Sequence, residues 1–194
     1  MKVVFLDVDG VLNSESDYVN PDGKTKKTAP RLHTNSGYVY NGISQRRVAR
    51  LAKIVGDTGA KIVLTSSWKP YYILYREGRD DDHVGKYLVN ALSRKKVRIF
   101  DTTAKCEGSS SLRGRGILTW IGQWDKDHPD DPVESIAILD DEWFDYDRIG
   151  LTPYLVKTDY DGPEGHSGLQ DLHVEKAISL LNENKYIANE TNKD

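Results

Sequence analysis

Asp7 and Asp9 stand two apart near the start of the chain and are followed by Gly10. In extended backbone, residues two apart share a face, so these carboxylates lie side by side. Gly10 then permits a sharp turn, with no Cβ to obstruct it. Close carboxylates repel each other and coexist only with a cation, a shared proton or both. A second acidic pair, Asp140-Asp141, ends another apolar run, Ile136–Leu139. Thr65-Ser66-Ser67 ends a third, Lys61–Leu64. Mg²⁺ prefers hard oxygen donors and is held by a few carboxylates together with substrate phosphate. An isolated Asp-Gly is an ordinary turn signal. Asp7 and Asp9 combined with Thr65 and Asp140-Asp141, all at the ends of apolar runs, point instead to a shared site.

The elements that must position these residues alternate in type. Lys2–Val8, Lys61–Leu64, Val97–Phe100, Glu134–Leu139 and Tyr154–Val156 read as strands. Ser44–Val55 carries Val48, Leu51, Ile54 and Val55 at helical spacing, with Ser44 as N-cap and Gly56–Gly59 as the stop. Asp82–Ser93, Gly114–Trp124 and Gln170–Leu181 read as further helices. Strands alternating with helices imply an α/β fold with a parallel sheet, whose strands are buried on both faces. Ligands of such sheets bind beyond the carboxyl ends of the strands, where the acids and Thr65 fall.

Composition narrows the class. The chain has 194 residues, 38% hydrophobic and 29% charged, which suits one soluble domain. Residues 1–182 are expected to form it, with 183–194 a polar tail. No apolar run approaches the ~20 residues that cross a bilayer. The N-terminus lacks a signal-peptide pattern, so the cytoplasm is the default compartment. The single cysteine, Cys106, can form no internal disulfide. A net charge of −3 argues against an overall basic coat for nucleic acid, leaving only a local basic patch.

Phe5-Leu6-Asp7-Val8-Asp9-Gly10-Val11-Leu12-Asn13 resembles the first motif of the haloacid dehalogenase (HAD) superfamily. Val63-Leu64-Thr65-Ser66-Ser67-Trp68 resembles the second and Ile138-Leu139-Asp140-Asp141 the fourth. Arg113-Gly114-x-x-Ile117-x-x-Trp120-Ile121 resembles the third-motif region of one branch, the HAD domains of Swiss-army-knife RNA-repair proteins. A looser likeness is to the phosphatase domain of polynucleotide kinase-phosphatases. The resemblance implies a HAD-like Rossmannoid fold with a five-stranded parallel sheet. It also implies a two-step phosphoryl transfer. Asp7 would be the nucleophile, and Asp9 would protonate the leaving oxygen and later activate water. Mg²⁺ would be held by Asp7, the Asp9 carbonyl and Asp140, with Asp141 as a further ligand, or with Asp141 and Asp145 in an outer shell. Thr65 and the amide after it would hold a phosphoryl oxygen, within a pocket lined by Gly10, Ser66 and Ser67. Arg113 would balance charge, with Arg115 two residues away as its competitor. An acid at position 9 favours phosphate-ester hydrolysis, because an alkoxide leaving group needs a proton.

Neither Asn13–Gly42 nor Trp68–Arg113 reaches the ~50 residues of a separate domain, so only a small flap, about 14–42, is expected over the site. Such a site admits a phosphate on a large molecule. Lys24, Lys26 and Lys27 offer backbone-phosphate contacts, and Trp68, Tyr71 and Tyr72 offer stacking on a base. The expected substrate is a phosphorylated nucleotide or nucleic-acid end, in nucleic-acid repair or nucleotide metabolism. A small-molecule phosphomonoesterase and a non-catalytic phosphate-binding domain are the alternatives. A phosphorelay receiver fits neither the Asp7-x-Asp9 spacing nor the position of Asp140-Asp141.

Overall fold

The computed structural model describes residues 1–20, 22–27, 31–103, 112–163 and 166–183. Cys106, the tail from 184 onward and flap residues 28–30 lie outside the described residues. The elements are β1 (Lys2–Leu6), β2 (Arg31–His33), β3 (Val39–Asn41), α1 (Gln45–Thr58), β4 (Lys61–Leu64), α2 (Lys69–Arg76), α3 (Val84–Ser93), β5 (Ile99–Thr102), α4 (Arg113–Asp127), β6 (Ser135–Asp140), β7 (Leu155–Lys157) and α5 (Asp171–Glu183). No helix among the described residues is long and apolar enough to cross a membrane.

Five strands form one parallel sheet in the order β5-β4-β1-β6-β7. Alternation along β1 divides the core into two layers. Val4 and Leu6 face α1, α3 and α5, against Val48, Leu51, Leu88, Val174 and Leu181. Val3 and Phe5 face α4, against Ile117, Trp120 and Ile121. β1 is central and its neighbours come from opposite directions in the chain order. This is the switch point at which ligands of open α/β sheets bind. The ladder runs on past the strand ends: Asp7 N–H donates to the Leu139 carbonyl at 2.9 Å and Thr65 N–H to the Leu6 carbonyl at 2.8 Å. Three site-bearing exits are thereby stitched together.

The structure departs from the sequence reading in several places. α1 runs through Gly56 and stops at Gly59, whose φ of 70° suits a residue without Cβ. Ser44 occupies the N-cap position but makes no side-chain cap bond. β5 begins two residues later than expected. Val97 packs in the core instead, and Asp101 is accommodated in the strand because Trp120 Nε1–H donates to its carboxylate at 2.7 Å. α2 was not expected: Pro70 looks like a breaker, but a proline in the first turn costs a helix nothing. The flap segment carries a small antiparallel hairpin, β2–β3, docked on the loop before α3. Asn35 donates to the Asp81 carbonyl at 2.6 Å and Ser36 N–H to Asp82 at 2.9 Å.

Candidate active site at the strand exits

Asp7 leaves β1 into a buried pocket, where its side chain is 5% exposed. Val8 N–H donates to its Oδ1 at 2.7 Å. Arg113 Nη1 donates to its Oδ2 at 2.6 Å and to Asp140 Oδ2 at 2.7 Å. One guanidinium thus bridges two carboxylates from different strands. Of the two arginines, Arg113 turns toward the carboxylates and Arg115 is exposed. The helix start decides it. Asp145 accepts from Gly114 N–H at 2.7 Å and from Arg115 N–H at 3.1 Å, capping α4 so that Arg113 points inward. Gly114 is required at this approach, since a Cβ would lie 2.9 Å from Asp145 Oδ1. Both Asp145 oxygens are thereby engaged by the start of the helix.

The loop after β6 completes the Arg113 setting. Asp140 is fully buried and accepts from Glu142 N–H at 2.9 Å and Tyr146 O–H at 2.8 Å. The Phe144 ring lies 4.1 Å from the guanidinium carbon, in cation–π contact. Phe144 reaches it through a left-handed backbone, φ 39°.

Asp7, Asp140 and Asp141 each offer an oxygen within 4.8 Å of the others. The donor set is hard and anionic, which fits a divalent cation such as Mg²⁺. Asp140 and Asp141 differ sharply, however. Asp140 is engaged by Arg113, Tyr146 and Glu142. Asp141 is half-buried and receives no side-chain donor among the described residues. It packs on Gly10, where a Cβ would sit 2.1 Å from its Cγ, so Gly10 is the cradle that admits it. Electrostatics agree with crowding of like charge. Burial, with Asp140 nearby, pushes Asp7 up to about 7 against the pull of Arg113. Burial also raises Asp140. Burial and Asp140 push Asp141 up to about 6. Burial opposes the Arg113 charge, yet Asp7 and Asp140 together leave it more basic than usual.

Asp9 is half-buried and held otherwise. Asn13 Nδ2–H donates to its Oδ1 at 2.8 Å, Trp68 Nε1–H to its Oδ2 at 2.9 Å and Ser67 Oγ–H to Oδ2 at 3.4 Å. Trp68 is 2% exposed, so it has no open face for a base, and the stacking expected of it does not fit the structure. Tyr72 is buried in the core, and the Tyr71 hydroxyl pairs with that of Tyr40 at 2.6 Å. Thr65 is fully buried and accepts from Thr103 Oγ1–H at 3.3 Å, leaving its own proton to donate. Lys69 donates to Thr103 Oγ1 at 2.9 Å, carrying charge toward the same hydroxyl. Ser66 is buried and its Oγ accepts from Val8 N–H and Trp68 N–H, each at 3.3 Å. Among the flap lysines, Lys24 pairs with Asp22 at 3.2 Å, Lys26 donates to the Ser16 carbonyl at 2.9 Å, and Lys27 is exposed.

Sequence reasoning missed Asn13, Thr103, Phe144 and Tyr146. Asn13 had a local signal. The turn that returns Leu12 N–H to the Val8 carbonyl brings the residue four after Asp9 back beneath it. The other three answer to tertiary contacts alone.

A family profile for the HAD domain in Swiss Army Knife RNA repair proteins matches residues 3–174. The chain belongs to this family. The matched span takes in every strand of the sheet and all four motif regions of this HAD domain. No curated protein and no solved structure matches the chain significantly.

Proposed function

We propose that this HAD domain is a Mg²⁺-dependent phosphomonoesterase that works through an aspartyl-phosphate on Asp7, on a phosphorylated nucleic-acid or nucleotide terminus. The observation that carries the chemistry is Arg113 bridging Asp7 and Asp140 in a buried pocket at the sheet switch point. Asp7 attacks phosphorus opposite the leaving oxygen; the new O–P bond forms as the old one breaks. Asp9 gives its proton to the departing oxygen. Asp9 then takes a proton from water, whose oxygen attacks phosphorus and frees Asp7 and inorganic phosphate. Thr65 Oγ1–H and the Ser66 amide face the phosphoryl oxygens, with Gly10 and Ser67 at the rim. Arg113 lowers the mutual repulsion of nucleophile and substrate. Asp7, Asp141 and the Asp9 carbonyl would hold Mg²⁺, with Asp140 alongside. The bound ion would spread the charge that develops on the phosphoryl oxygens.

The terminus reading is supported by the family's description and by the modest size of the flap hairpin. The small-molecule reading has its own support, because Lys24 and Lys26 are already engaged by Asp22 and Ser16. A phosphate-release assay separates the two. It compares 3′- and 5′-phosphorylated oligonucleotides, mononucleotides and sugar phosphates, with Mg²⁺ and with EDTA. We expect oligonucleotides to be preferred at low salt, with release abolished by EDTA and the preference fading as salt rises. Equal rates on mononucleotides or sugar phosphates at low salt would favour the small-molecule enzyme. Asp7→Asn should lower turnover at least about a thousandfold with the fold intact. Near wild-type release by that variant would overturn the mechanism.

A further inference from the structure

Asp9 is gripped at both oxygens by neutral N–H donors that are themselves immobile. Asn13 is fully buried, and its Oδ1 accepts from Gly10 N–H at 3.1 Å. That bond fixes the carboxamide, so that its N–H must point at Asp9. The Trp68 indole is locked from two sides. Its backbone N–H donates to Ser66 Oγ, and the ring packs edge-on against Tyr40 of β3, with centroids 5.9 Å apart. Tyr40 is in turn tied to Tyr71 of α2. A buried indole N–H needs an acceptor, and here the acceptor is a carboxylate at the strand exits. Neutral donors orient a carboxylate without cancelling its charge, as a guanidinium would. That suits a group that must both give and take a proton.

We propose that Trp68 and Asn13 are positioning residues that aim Asp9 at the leaving oxygen, and that Tyr40 of the flap hairpin sets the indole for this task. The proposal rests on the reading of Asp9 as acid and base. It assigns the second-motif tryptophan to proton transfer and not to substrate stacking. The mechanism is geometric: an acid works only when its proton lies on the line to the departing atom, and small displacements are costly.

The test is a single-turnover measurement of the first step on two substrates. One is an alkyl phosphate with a poor leaving group and no base, such as glycerol phosphate. The other is nitrophenyl phosphate, whose leaving group needs little protonation. The proteins are wild type, Asp9→Asn, Trp68→Phe, and a protein with benzothienylalanine at position 68. The last keeps the bicyclic shape and puts a sulfur, which cannot donate, in place of the N–H, so it covers the case in which Trp68→Phe folds poorly. We expect Asp9→Asn to slow the alkyl ester far more than the aryl ester. Both position-68 proteins should do the same in smaller measure, with the alkyl-to-aryl rate ratio falling about tenfold or more and KM little changed. Equal slowing of both esters at position 68, or no slowing, would overturn the proposal while the Asp9 result keeps the acid reading intact. Loss confined to base-bearing substrates would overturn it in favour of stacking. If Asp9→Asn itself showed no preference between the esters, the acid reading would fall and this proposal with it.

Discussion

The two aspartates of Asp7-x-Asp9 sit two residues apart and live in opposite surroundings. Asp7 is buried, shares one guanidinium with Asp140, and its counter-charge is itself clamped by Phe144 and by the Asp145 cap on α4. Asp9 is half-exposed and is held by an indole, a carboxamide and a hydroxyl, none of them charged. The contrast fits the roles proposed for the two groups. A nucleophile crowded by like charge survives burial only beside a cation, and dry surroundings strengthen that pairing. A proton carrier needs contact with water and a fixed direction, and donors at both oxygens supply the direction. β1 ends at Leu6 and the chain turns from Val8 to Leu12, so Asp7 and Asp9 do not share a strand face and enter different neighbourhoods.

The charged half should break hardest. Arg113→Ala leaves Asp7 and Asp140 buried without their shared cation, a situation that costs about 3–5 kcal/mol. Denaturant unfolding should show that loss, and adding Asp7→Asn to Arg113→Ala should restore part of it, because one of the stranded charges is gone. The matching change on the other half, Ser67→Ala, removes a long bond at an exposed hydroxyl and should cost less than about 1 kcal/mol. Comparable losses on the two sides would dissolve the contrast drawn here.

Asp140 and Asp141 sharpen it further. Asp140 belongs to the Arg113 cluster, whereas Asp141 lies on Gly10 without a side-chain donor among the described residues. Asp141→Ala should therefore raise the Mg²⁺ concentration for half-maximal activity about tenfold or more, with stability unharmed. Asp140→Ala should chiefly destabilise, by orphaning Arg113 and Tyr146. Titrating activity against Mg²⁺ and unfolding both variants in urea checks the assignment. A large Mg²⁺ shift in Asp140→Ala with none in Asp141→Ala would reverse it.

Much of this arrangement is legible in sequence wherever a polar residue interrupts an apolar run. Asp7, Thr65 and Asp140 end strands, and parallel pairing forces strand ends together whatever the loops do. The family resemblance added the expectation of a basic residue before a helix, where this chain offers two arginines. Its spacing favoured Arg113, with Arg115 as the competitor; which of the two faces inward depends on the phase of α4, set by Asp145 from beyond the next strand. Trp68 was legible as an aromatic and illegible in its use. A tryptophan offers a face or an N–H, and Tyr40, from a hairpin far away in sequence, decides which remains. β5 was misplaced for a similar reason. Asp101 discourages a strand until Trp120 supplies its donor. The partners of the lysine run were not legible either: Asp22 lies just before it, and the Ser16 carbonyl is reached only by folding back.

The most gradual effect expected is a slope in stability with pH. Asp7 is raised to about 7 and Asp141 to about 6, both first through burial. Between the ordinary carboxyl range and about pH 7, the folded metal-free chain keeps protons that the unfolded chain has released. Their contribution is complete at acid pH and is lost as pH rises through those folded values, so stability falls with pH in that window. Burial lowers the pKa of His173, and this pulls the other way, since that imidazole is harder to charge in the folded state. The clean measurement is thus a difference between wild type and Asp7→Asn, whose amide cannot titrate. In EDTA, the melting temperature of Asp7→Asn minus that of wild type should grow from pH 5 to pH 7, at most by roughly 3 °C per pH unit for one fully coupled carboxyl. Mg²⁺ needs the carboxylates charged and competes with the protons, so the melting-temperature gain that Mg²⁺ confers on wild type should rise over the same interval. A difference that stayed flat from pH 5 to pH 7 would mean that Arg113 alone keeps Asp7 ionised, and the burial that sets Asp7 apart from Asp9 would then leave no mark on its charge.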